Sequence, residues 1–101
     1  MRKLFNDGRY FERVQTGELK AVLMEDRPAP PAADQPPGTR SQMISYRDAS
    51  DKEIARVHQY LKADGTLGAS RKPDPKRLLI NDTLFRLTKA KDRQEPPTAL
   101  D

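Results

Sequence analysis

Apolar residues in this chain come in short runs separated by polar turns, and most runs are compatible with a two-residue repeat. The clearest patterning lies between Ser41 and Arg77. Met43 to Arg47 reads as a short strand, and Asp48-Ala49-Ser50-Asp51-Lys52 reads as a polar loop. Glu53 to Lys62, EIARVHQYLK, follows and supports two readings. As a strand it pairs with its neighbour, puts Ala55, Val57 and Leu61 on one face, and carries residues that tolerate pleated backbone. As a helix it places Ile54, Val57, His58 and Leu61 at i, i+3, i+4 and i+7, with Ser50 and Glu53 as a capping box. The strand is the reading adopted. Asp64-Gly65 is a reverse turn on either reading.

Two further hairpins are expected. Tyr10, Phe11 and Val14 precede Thr16-Gly17, and Leu19 to Met24 follow, which reads as two arms around a glycine turn. The rival there is a helix from Asp7, which would enclose Gly17. Leu78 to Ile80 and Leu84 to Leu87 flank Asn81-Asp82, two residues that accept positive φ in a tight turn. Between the first hairpin and Met43, the segment from Asp26 to Arg40 holds five of the nine prolines and reads as a polyproline-like crossover between hairpins. The pair Pro73 and Pro75 argues against a central strand there, with Asp74 capping a short helical turn.

The expected fold is therefore mainly β, a small antiparallel sheet of two or three hairpins with a Pro-rich loop at 26–40. The alternative is α+β with one helix at about 50–63. Residues 1–8 read as an N-terminal extension, 9–87 as one domain, and 88–101 as a disordered tail. The expected core is Phe11, Val14, Leu19, Leu23, Ile44, Tyr46, Val57, Leu61, Leu78, Ile80 and Phe85.

Composition narrows the functional classes. Of 101 residues, 35% are hydrophobic and 34% charged, so a core is small. There is no cysteine and one histidine, which removes disulfides, thiolate metal sites and imidazole clusters; no metal and no cofactor is expected. No apolar run approaches the ~20 residues of a membrane span, and Met1 to Phe5 lacks a signal-peptide pattern, so a cytoplasmic location is the expectation. The Gly65 and Gly68 spacing in DGTLG fits no phosphate-binding loop, and the Ser–His combination has no supporting motif.

The net charge is +4, and from Arg71 to Arg93 eight basic residues face three aspartates. That imbalance predicts an anionic partner, nucleic acid or an acidic protein surface. The candidate nucleic-acid contacts are Arg71, Lys72, Lys76, Arg77 and Arg86. The strand reading of 53–62 adds a second candidate set, since Arg56, His58 and Tyr60 then share a face. A cation, a titratable imidazole and a phenol are the groups of a metal-independent ribonuclease-like toxin. A third class is an accessory protein–protein module, given the small core and the proline segments. The function expected first is a small basic binding module.

Ser45-Tyr46-Arg47-Asp48, the run Ala55 to Leu61, and Asp64-Gly65 to Pro73-Asp74-Pro75-Lys76-Arg77 resemble a family of short bacterial and phage proteins. The resemblance covers about 41–87. It implies a bacterial or phage origin and a stand-alone domain, and it carries over no activity and no site residue.

Overall fold

Among the described residues, six antiparallel strands succeed one another in sequence order to make one sheet, each hydrogen-bonded to the next. The computed structural model describes residues 1–68 and 71–86, and the backbone of 98–100. The strands are β1 (Lys20–Pro28), β2 (Arg40–Arg47), β3 (Glu53–Leu61), β4 (Asp74–Ile80), β5 (Thr83–Arg86) and β6 (Thr98–Leu100). Two one-and-a-half-turn helices, α1 (Arg2–Asp7) and α2 (Tyr10–Gln15), precede them. The chain is mainly β, as the alternation of its apolar positions implies.

β3 shows why. Ala55 and Val57 are buried while Arg56 and His58 are half-exposed, a two-residue burial repeat. The Ser50–Glu53 capping box goes unused, because Glu53 is the first residue of the strand. Asp48 organises the loop instead: its Oδ1 accepts the backbone N–H of Ser50 (2.8 Å) and of Lys52 (3.0 Å). At the far end Gly65 (φ 88) turns the chain, and its N–H bonds to Lys62 O. The β4–β5 hairpin closes through Asn81 (φ 50) and Asp82 (φ 65), the two positive φ values of a type I′ turn.

The first expected hairpin is corrected. Its first arm is α2, and the chain turns at Gly17 (φ 86) after the helix rather than inside it. A six-residue helix is marginal in isolation, so packing decides. Tyr10 stacks on Phe5 (5.7 Å between centroids), and Phe5 lies against Tyr46 of β2 (6.1 Å). The Arg13 guanidinium sits over the Tyr10 ring at 5.1 Å and pairs with Glu18 at 2.5 Å. The strand partner of β1 is β2, so the proline segment is the hairpin loop of β1 and β2 and not a crossover between hairpins. It contains a 3-10 turn at Pro31–Ala33.

Pro75 is also corrected. It lies within β4 and faces Val57 of β3. Pairing of β4 with β5 begins at Arg77, so the N–H that proline lacks faces no strand on that side. Lys76 is the extra residue of a bulge between Val57↔Pro75 and Arg56↔Arg77. Asp74 caps no helix; it is the first residue of β4. The expected tail lies outside the described residues except for Thr98–Leu100, whose backbone pairs with β5.

The core is Phe5, Tyr10, Leu19, Tyr46, Ala55, Val57 and Leu78. Leu19, Tyr46, Val57 and Leu78 are among the expected residues; Phe5 and Tyr10 from the helices are additions, as is Ala55. Phe11, Val14, Ile44, Ile80 and Phe85 pack around it, half-buried. Leu61 is half-buried at the end of β3. Leu23 is 53% exposed, a correction. It lies on the edge strand, beside a bulge at Met24. Burial and the nearby Glu12 carboxylate push the Tyr46 phenol up to about 12. No helix among the described residues is long and apolar enough to cross a membrane.

Candidate nucleic-acid interface

Register assigns the two faces of the sheet. Tyr46, Ala55, Leu78 and Phe85 are direct cross-strand partners, and the helices pack on their face through Phe5. The neighbouring rung consists of Ser45, Arg56, Arg77 and Arg86, again direct partners in series. Alternation turns that rung to the opposite face. Three arginines thus stand side by side on β3, β4 and β5, about 10 Å from first to last at two strand spacings.

Glu53 holds this group together. Its Oε2 accepts hydrogen bonds from the Arg56 Nε (3.2 Å) and Nη2 (3.1 Å) and from the Ser45 hydroxyl (2.6 Å). Its Oε1 makes an ion pair with Arg77 Nη1 at 3.7 Å. Arg47 joins from the end of β2, donating from Nε to Ser45 Oγ at 3.1 Å. Like charges on adjacent strands repel, and the shared carboxylate offsets part of that. Ser45 is fully buried beneath these side chains. A guanidinium carries five N–H donors, so the bonds to Glu53 exhaust neither Arg56 nor Arg77.

Further along the same face of β3 are His58 and Tyr60. Their rings meet edge to face, 4.7 Å apart with an interplanar angle of 85°. Ser41 Oγ and His58 Nε2 share a hydrogen bond of 2.7 Å. Burial lowers the His58 pKa, and Lys76 lowers it further; the Asp74 carboxylate opposes them. Asp74 is itself ion-paired to Arg2 of α1. Arg56, His58 and Tyr60 do share a face, but each is already engaged: Arg56 with Glu53, and His58 with Ser41 and Tyr60.

The five described basic residues between Arg71 and Arg86 do not form one patch. Arg77 and Arg86 are in the rung, and Lys76 sits in the bulge beside it. Arg71 is exposed in the loop before β4 (φ 66). The Lys72 Nζ lies 3.6 Å from Glu12 of α2, on the helix side. Residues 87–93 fall outside the described residues. Ser45 and Glu53 escape sequence reasoning as site residues, because what joins them to the arginines is how the strands align. A groove of about 360 Å³ runs along α2, lined by Asp7, Arg9, Glu12, Arg13 and Glu18 among others, with charges of both signs.

Comparison with protein-family models, with curated proteins and with solved structures finds no match to the chain.

Proposed function

We propose that this protein is a small binding module that holds nucleic acid by its phosphate backbone, on the sheet face turned away from the helices. The observation that carries the reading is the rung of Arg56, Arg77 and Arg86 on three successive strands, extended by Arg47. Guanidinium groups carried side by side on neighbouring strands can each give two N–H bonds to a phosphate. Counter-ions displaced from the polynucleotide supply the binding free energy, so affinity falls as salt rises.

RNA cleavage by His58 is the competing reading. It is favoured by the short Ser41–His58 hydrogen bond and by an imidazole held neutral near pH 7. One titration tests both: fluorescence anisotropy of labelled RNA and DNA between about 50 and about 300 mM salt, followed by sizing of the recovered oligonucleotide. The proposal requires salt-sensitive binding with the oligonucleotide intact. Absence of binding at the lowest salt contradicts it, and fragments that vanish with His58→Gln favour cleavage.

A further inference from the structure

We infer that the nucleic acid held on this face is an unpaired strand, with a base lying on the Tyr60–His58 pair while its phosphates run onto the arginine rung. This rests on the proposed function and specifies its ligand.

Three features support it. The first is the aromatic pair itself. Tyr60 and His58 project from β3 on the same face as Arg56, His58 two residues and Tyr60 four residues further along the strand. Base stacking on exposed rings is useful only where bases have left the duplex, since a paired base presents its edge to a groove and its faces to its neighbours. Both residues are half-buried, so part of each remains open to solvent. The second is that the His58 ring is fixed. Its bond to Ser41 and its edge contact with Tyr60 hold the two rings at right angles. A base stacked on one turns its edge to the face of the other, and little side-chain entropy is lost on binding.

The third is the shape of the surface. Among the described residues, no helix or projecting β-ribbon rises from this face to enter a major groove, and the two helices belong to the other face. A sheet that offers cations at one end and aromatic rings at the other suits a flexible strand, which can lay backbone on the first and a base on the second. The neutral imidazole adds no charge at pH 7, so recognition at this end is by ring contact and not by a further ion pair.

The experiment compares fluorescein-labelled 12-mers of oligo-U and oligo-dT with a 12-base-pair duplex, by anisotropy at about 50 mM salt. The wild type is measured beside Tyr60→Leu and Tyr60→Phe, each checked for native circular dichroism. The inference requires both single strands to bind at least about tenfold tighter than the duplex. Tyr60→Leu should weaken single strands by about tenfold and leave the duplex unchanged, as loss of one stacked base predicts. Tyr60→Phe keeps the ring and should keep the affinity; this arm remains informative if Tyr60→Leu does not fold. Equal affinity for duplex and single strands, equal weakening of both by Tyr60→Leu, or a tenfold loss in Tyr60→Phe overturns the inference while leaving the phosphate-binding reading intact. Absence of binding to all three overturns that reading as well.

Discussion

Arg56 and Arg77 face each other across the β3–β4 ladder and share one carboxylate, that of Glu53, at 3.1 Å and 3.7 Å. Two cations as direct cross-strand neighbours destabilise a sheet unless a counter-charge lies between them. Glu53 is that counter-charge, and its two oxygens set where both guanidinium groups point. An incoming phosphate would compete with it for the same N–H donors.

Glu53→Gln should therefore tighten nucleic-acid binding. The substitution removes the negative charge and keeps an oxygen to accept the buried Ser45 hydroxyl. Loss of a half-exposed ion pair is worth a few tenths to about 1 kcal/mol, so affinity should rise about two- to fivefold. Glu53→Ala also removes the acceptor of Ser45 and should cost about 1–3 kcal/mol of stability. Binding isotherms and urea midpoints of the two variants measure both effects, and weaker binding by a folded Glu53→Gln protein would show that Glu53 orients the site more than it competes.

Phe5 should be among the costliest residues to truncate. It is 1% exposed, and both Tyr10 and Tyr46 rest on it. Phe5→Ala should destabilise the fold by about 3–5 kcal/mol, read from urea unfolding. A destabilisation below about 1 kcal/mol would mean that the helices contribute little to the stability of the sheet.

Gly8 is needed for space and not for its backbone angle, which is an ordinary one (φ −80). A Cβ there would meet the Tyr10 ring at 2.4 Å. That ring is buried against Phe5 and capped by Arg13, so it has little room to yield. Gly8→Ala should destabilise by about 1–3 kcal/mol, although alanine has the higher helix propensity. A thermal midpoint unchanged from wild type would contradict the packing described between α1 and α2.

His58 makes stability depend on pH. Its folded pKa lies below the ordinary value of 6.5, so the unfolded chain takes up the proton first. The favourable contribution is complete above about 6.5 and declines as pH falls below that value towards the folded pKa. Carboxylates also begin to titrate at the acid end of this range, so the comparison must be with His58→Gln. Urea midpoints measured from about pH 7.5 down to about pH 5.5 should fall more steeply for the wild type than for the variant. Parallel curves would mean that the imidazole is as well solvated as in the unfolded chain.

Strands β2, β3, β4 and β5 are readable in part because short runs of β-compatible residues lie between polar turns, and on β3 the burial also alternates. Asn81-Asp82 supplies a type I′ turn by residue type alone. The helix α2 is not readable, because Tyr10, Phe11 and Val14 suit either geometry over six residues, and the burial of Phe5 and Tyr10 decides between them. Pro75 misleads for a local reason, since the Lys76 bulge and the late start of β4–β5 pairing admit a proline into a strand. The face shared by Arg56, His58 and Tyr60 follows from alternation along β3. The rung does not, because Ser45, Arg56, Arg77 and Arg86 come from four strands and are aligned by register alone. Charge density along the chain points to Arg71 and Lys72, whereas the sheet gathers Arg47 and Arg56 with Arg77 and Arg86.

The central claim is that the arginine rung, and not basic charge in general, holds the phosphate backbone. The direct measurement is the slope of log affinity against log salt for single-stranded oligo-U, comparing wild type with Arg56→Gln/Arg77→Gln/Arg86→Gln and with Arg71→Gln/Lys72→Gln. Removing one arginine–phosphate ion pair should flatten the slope by about 0.7. The triple variant should flatten it by about two units and bind far more weakly, while the double variant keeps the wild-type slope to within about half a unit. A triple variant that retains the wild-type slope, or a double variant whose slope flattens more than that of the triple, would contradict the account.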